Sequence, residues 1–420
     1  MPELIEISYM LLIFLLIGAS PLNIFRSGSN NLYFNLIINL NFLLLFSILP
    51  FQIQKYAVFL LFILFLLSIK NYYSFNDKIK IHKNRLILII LTFLLISVQI
   101  ASELELGWDA KFFWHIKSLF YSQNKTFSEL SEYIYNDYHP HFGSYLWAFF
   151  RNFSINGYEY VGRLFYVFFY LIGIHFISNN IFKDKIHNAI LFIFLIILTE
   201  KYTYFSGLQE ILIFSTLIFI SKFILIFLEE RKFIYLFHIT LCMNLLIWYK
   251  AEGIAYASIC FIIINLISNL NLKFRIYFNF LFLFFIFLKS LIYNFFQIKI
   301  NAQPYFLEYL LKLDLERLTY KLYNIFIYLS FYSLKNIILL LVPIIVILNY
   351  KKIFKDEYFR LIFVFFILNI IFIFSAYIFR EMDVVFSLST TIDRIVFSSS
   401  GFYLVFLIAQ AKNYLSKKFQ

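Results

Sequence analysis

Charge is what this sequence has least of. Only 14% of its 420 residues are Asp, Glu, Lys or Arg, while 62% are hydrophobic. A water-soluble chain carries roughly a quarter charged residues, so one large soluble core is excluded. Two-residue alternation is missing as well. The apolar runs are continuous, which excludes barrel strands and leaves helices. Cysteine is almost absent: Cys242 and Cys260 both sit inside apolar runs, which excludes a disulfide framework and thiol chemistry. The first apolar run, about 4–17, follows acids rather than a basic region and lacks a small-residue cleavage site. It is expected to be a retained span rather than a signal peptide.

Hydrophobic runs recur along the whole chain, and many approach the roughly 20 residues that cross a bilayer. The expected fold class is all-α: a polytopic helical membrane protein with about 11–13 transmembrane helices and residues 1–420 as a single transmembrane domain. The coarse spans are 4–22, 32–49, 57–69, 86–100, 161–179, 189–199, 208–228, 233–249, 254–268, 276–296, 335–349, 361–378 and 395–411. There is no evident internal repeat.

The net charge of +12 is dispersed between these runs. That pattern fits the positive-inside rule and argues against a nucleic-acid partner. Basic clusters fall at 70–85 (Lys70, Lys78, Lys80, Lys83, Arg85), at 349–360 and in the tail (Lys412, Lys417, Lys418). With these on the cytoplasmic face, alternation puts 101–160, 199–207, 250–253, 298–322 and 379–394 on the outer face. The 101–160 loop is rich in Trp, Tyr and Phe and is expected to carry interfacial amphipathic helices. Residues 298–334 are expected to form a second outer loop, with an interfacial helix over 304–320.

The acids gather in these outer segments. Glu103, Glu105 and Asp109 flank Trp108 at the exit of a span, and acids beside a membrane are costly enough to suggest chemistry or a charged passenger. With a helix over 109–122, Lys111, His115, Ser118 and Ser122 form a polar stripe. Phe112, Ile116, Leu119 and Phe120 face the other way, and Asp109 projects with them. A carboxylate aimed into a membrane-level cavity would suit a general base; the bland alternative is that Asp109 caps the helix start. If Glu103, Glu105 and Asp109 converge, their hard oxygens would suit Mg²⁺ or Mn²⁺.

Four further clusters follow. Asp137, His139 and His141 surround Pro140, where substrate contact is more plausible than metal ligation and a polar turn is the plain reading. Ser206–Glu210 opens a span, with Glu210 at its buried outer end, where compensation of the helix dipole is the plain reading. Lys250 and Glu252 lie between two short spans, where they pair or Lys250 meets a lipid phosphate. Thr390–Arg394 precedes the last span, with Arg394 placed to grip phosphate, pair with Asp393 or snorkel.

These segments resemble the bacterial GT-C superfamily of membrane glycosyltransferases, the group related to protein O-mannosyltransferases and aminoarabinose transferases. The resembling pieces are Gly107–Trp114 with Lys117, His139–Leu146, Ser206–Glu210, Trp248–Gly253 and Thr391–Arg394. The resemblance implies a multi-pass protein of the bacterial cytoplasmic (inner) membrane, with its catalytic loops outside. The implied donor is a polyprenyl-phosphate-linked sugar, with no certain cofactor, and the acceptor is a glycan, lipid or protein. It implies Asp109 as catalytic base with Glu105 as understudy. On that basis Lys250 and Arg394 are expected to bind the donor phosphate, and Trp108, Lys117, His139, His141, Glu210 and Glu252 to bind substrate. Trp114 and Trp147 are further candidates for stacking on sugar or anchoring the loop. Two alternatives stay open: a transporter or flippase of lipid-linked sugars, and an O-antigen polymerase or ligase.

Overall fold

The computed structural model describes residues 2–418 except 20–31, most of 51–82, 104, 134–138, 180, 183, 269, 299–313 and 381. Among the described residues every regular element is helical. Most of the expected span at 57–69, the basic segment at 70–82, Asp137 and most of the 304–320 helix lie outside them, as does the side chain of Glu103.

The main helices are α1 (Pro2–Ala19), α2 (Leu32–Ile48) and α3 (Lys83–Glu103). A π-turn (Ala110–Trp114) leads into α4 (His115–Ser122), followed by α5 (Leu130–Tyr133) and α6 (Phe142–Arg151). Next come α7 (Tyr160–Ser178), α8 (Lys185–Thr199), α9 (Glu210–Glu230), α10 (Phe233–Tyr249), α11 (Ala251–Asn265) and α12 (Leu272–Phe295). The chain ends with α13 (Leu315–Lys335), α14 (Ile337–Leu348), α15 (Lys352–Lys355), α16 (Glu357–Ile378) and α17 (Val384–Lys418).

Helices dominate because in an apolar setting each backbone amide must be satisfied within its own segment. Starts are marked by short polar caps. Asp184 takes the Ile186 amide at 3.0 Å, Asp314 the Arg317 amide at 2.7 Å, and Asp356 the Phe359 amide at 3.1 Å. Buried hydroxyls turn back on their own helix: Ser215 and Thr216 each donate to the carbonyl four residues earlier at 2.7 Å. The buried Asn41 and Asn244 amides bind each other at 2.9 Å across α2 and α10. Such a bond satisfies polar groups that hydrocarbon would leave bare.

α7 is buried on all sides, and α9 packs against α7, α10 and α17. These helices form the core, with α12 and α16 at the periphery, where large apolar side chains such as Phe280 and Ile371 stay exposed. Among the described residues, five helices (α7, α9, α12, α16 and α17) are long and apolar enough to cross a membrane, or six with the bent pair α13 and α14. Further apolar helices among the described residues, at 32–48, 86–102, 185–199, 233–249 and 251–265, fall on expected spans but are shorter. The expected outer loop at 298–334 is instead largely the continuous helix α13, and its axis turns by 99° into α14. Asn336 makes the corner, because its side chain caps the Ile338 and Leu339 amides and starts a new helix.

The bundle has two distinct polar ends. At one, the Gly107 amide donates to the Ser206 carbonyl at 3.0 Å, Lys201 pairs with Asp393 at 2.9 Å, and Asn156 donates to Glu6 at 2.9 Å. At the other, Arg231 pairs with Glu357 at 2.5 Å and Arg360 donates to Ser268 at 2.6 Å. Of the segments grouped together by charge alternation, 101–160, 199–207 and 379–394 thus meet at one end, while the basic segment 349–360 stands at the other.

Candidate functional site

At the first of these ends, three carboxylates and two cations from four separated segments form one continuous network. Arg394, in α17, binds Asp109 Oδ2. The same guanidinium lies 3.4 Å from Glu210 Oε1. Lys250 Nζ is 2.8 Å from that same Glu210 oxygen and 3.0 Å from Glu252 Oε1. The order is Asp109–Arg394–Glu210–Lys250–Glu252.

Local sequence places each member. Residues 107–109 enter the π-turn with the Lys111 amide bonded to the Gly107 carbonyl at 2.8 Å. Asp109 has helical φ and ψ, and its side chain makes no capping bond, so the capping alternative fails. Gly207 holds φ +92, and a Cβ there would lie 2.6 Å from the Trp147 ring and 2.9 Å from Ala110. That backbone region favours glycine, and the close approach seats the 206–210 turn against the π-turn. Glu210 then opens α9, where a carboxylate complements the partial positive charge of the helix start. Lys250 sits in an extended break between α10 and α11.

Burial is graded across the network. Side-chain exposure is 2% at Glu210, 12% at Lys250 and 15% at Arg394, then 21% at Asp109 and 23% at Glu252. The centre is dry and the two outer acids are reachable. Three buried atoms lack a hydrogen-bond partner among the described residues: Arg394 Nε, Glu210 Oε2 and Glu252 Oε2. One donor and two acceptors are therefore left over in a place where unpaired polar atoms are costly. Burial opposes the Lys250 ammonium, but Glu210 and Glu252 outweigh it and hold the lysine above its ordinary value.

A second layer fixes the first. Asp393 accepts from Tyr204 Oη and pairs with Lys201, both at 2.9 Å. Arg163 grips Glu159 with two 2.8 Å bonds and donates to the Phe205 carbonyl at 2.9 Å. Lys201, Tyr204, Glu159 and Arg163 were not singled out from the sequence. The signal for one pair was present: an arginine in a span four residues after a glutamate. Arg394 was open to pairing with Asp393, but neighbouring residues on a helix point apart, and Asp393 turns to Lys201 instead.

Other expected site residues fall elsewhere. His141 is fully buried and shares a hydrogen bond of 2.8 Å with Ser47 Oγ, so it fastens the loop to α2 rather than reaching a substrate. Burial holds its imidazole well below the ordinary value. Lys117 is also fully buried and donates to the His139 carbonyl. His139 is half-buried against Phe113 and Trp114; burial, with Lys117 and Lys250 nearby, pushes it down to about 3. Trp114 and Trp147 are core residues, and Trp147 stacks on His115 at 5.3 Å. Of the three tryptophans singled out from the sequence, Trp108 is the exposed one, at 67%.

The expected stripe along 109–122 is also redistributed. Phe112 and Ile116 are exposed while Lys117 and Ser118 are buried. The π-turn explains this, since its i→i+5 bonding breaks the 100° spacing on which the stripe depended. Glu105 is exposed and makes no ion pair with the network among the described residues. Among the described residues no group of three His, Cys, Asp or Glu could hold a metal ion. No family model, no curated protein and no solved structure matches this chain.

Proposed function

We propose that the protein is an inverting glycosyltransferase of the bacterial cytoplasmic membrane, taking sugar from a polyprenyl-phosphate donor at the outer face. The carrying observation is the Asp109–Arg394–Glu210–Lys250–Glu252 network, with its unpartnered donor on Arg394 and unpartnered acceptors on two glutamates. A ligand that is both phosphorylated and hydroxylated would satisfy all three atoms at once. The phosphate would take Arg394 Nε, and sugar hydroxyls would donate to Glu210 and Glu252.

The chemistry follows from the placement. Asp109 is held to Arg394 through Oδ2, which leaves Oδ1 to take the proton of an acceptor hydroxyl. That oxygen attacks the anomeric carbon from the face opposite the phosphate. The bond from carbon to phosphate oxygen breaks, and its electron pair stays on the phosphate. Arg394 and Lys250 stabilise the charge that develops there. The exposed Trp108 beside Asp109 offers a ring face to the acceptor or to the interface. The acceptor is a hydroxyl of a glycan, lipid or protein. A membrane-resident donor accounts for a chain made so largely of apolar helices, and the positive-inside pattern supports an outward-facing site.

Purified protein supplied with polyprenyl-phosphate sugars is expected to release polyprenyl phosphate. Arg394→Ala should weaken donor binding, and unchanged donor affinity would remove its assigned role.

A further inference from the structure

A second polar site lies at the far end of α9. Lys222 and Glu229 of this helix, Lys412 of α17 and Asn179 after α7 line a cavity of about 360 Å³. By helix rise, Glu229 stands about 28 Å from Glu210, so this cavity is separate from the charged network. Lys222 lies within electrostatic reach of both Glu229 and Lys412. Neither lysine makes a hydrogen bond or ion pair among the described residues, so the lining carries one uncompensated positive charge. Asn179 Oδ1 is buried there with no hydrogen-bond partner. The remaining wall is largely apolar, contributed by α7, α9 and α17.

Two lysines against one glutamate leave this lining with an excess positive charge, which an anion held between the lysines would offset. An orphaned carbonyl oxygen in the same lining calls for a hydroxyl or amine donor. The apolar wall calls for a hydrocarbon. We propose that this cavity binds a phosphate group, supplied by a phospholipid whose headgroup phosphate bridges Lys222 and Lys412. A headgroup hydroxyl donates to Asn179 Oδ1, and the acyl chains lie along the apolar side. Lys412 belongs to one of the basic clusters that define the face opposite the catalytic network. The lipid is therefore an inner-leaflet lipid that braces α9 and α17, the two helices that also carry Glu210 and Arg394. The site stands whether or not the transferase reading holds.

The test is direct binding to the full-length protein after delipidation in neutral detergent. The probes are dioctanoyl phosphatidylglycerol, dioctanoylglycerol and inorganic phosphate. The phosphatidylglycerol is expected to bind and raise the melting temperature, and dioctanoylglycerol is not. Lys412→Gln, at an exposed position that tolerates change, should weaken lipid binding about tenfold, and Lys222→Gln likewise. Binding of inorganic phosphate with the same lysine dependence supports the phosphate site and makes the free anion its source. Equal binding of dioctanoylglycerol, or lipid affinity unchanged in both lysine variants, overturns the proposal.

Discussion

Arg394 binds Asp109 across 285 residues of chain, and through that one guanidinium the loop after α3 is tied to the last helix. Arg394 retains 15% side-chain exposure and Asp109 21%, so the pair stands at the boundary between the dry core and the polar end of the bundle.

If Asp109 takes the acceptor proton, Asp109→Asn keeps its shape and loses its basicity. Turnover should fall about 10²–10⁴-fold, the usual contribution of a general base, with donor binding within a few fold of the parent. Release of polyprenyl phosphate measures the first and donor titration the second. Undiminished turnover would remove Asp109 from the role.

Glu210 carries both cations of the network, so its loss should destabilise more than that of either outer acid. Glu210→Gln leaves Lys250 and Arg394 with uncompensated charge, and breaking a buried pair costs about 3–5 kcal/mol. A cycle with Lys250→Gln should recover part of that loss, because the residues share a 2.8 Å bond. Additive effects of the two changes in thermal unfolding would contradict direct coupling.

Gly207→Ala should destabilise on two counts: a positive φ, and a Cβ driven into the Trp147 ring. The backbone part alone is about 1–3 kcal/mol. Gly157 makes the control, since it shares a positive φ but has open space around the Cβ position. Gly157→Ala should therefore lower the melting temperature by less than Gly207→Ala.

His139 titrates at about 3 in the folded protein, against 6.5 ordinarily. The unfolded chain therefore binds a proton first as pH falls. The contribution of this group is complete above about 6.5 and is lost progressively from there down towards 3, with a limiting slope of about 1.4 kcal/mol per pH unit. Melting temperatures between pH 7 and pH 5 should fall, and His139→Asn should flatten that fall. An identical slope in the variant would show that His139 is not the group responsible.

Much of the fold was legible because its causes are local. An apolar run long enough to satisfy its own backbone becomes a helix wherever it packs, and α7, α9 and α16 closely follow the expected spans 161–179, 208–228 and 361–378. The pairing of Lys250 with Glu252 was legible for the same reason, since the two stand two residues apart in an apolar setting. The phase of the helix after Asp109 was not, because the π-turn at Ala110–Trp114, which lies against the Gly207 turn, shifts every later side chain. The fates of Trp147 and His141 were equally hidden, since only the packing of α6 against α2 and α7 decides that they are covered.

The sequence by itself determined that this is a bundle of apolar helices, and charge alternation sorted its connecting segments into two sets. Those properties depend on composition and on neighbours a few residues away. Tertiary structure alone decided that Glu210 lies between Lys250 and Arg394, and that Arg394 turns to Asp109 rather than to its neighbour Asp393. An ion pair across hundreds of residues depends on how α9, α10 and α17 pack, and no local rule encodes that distance.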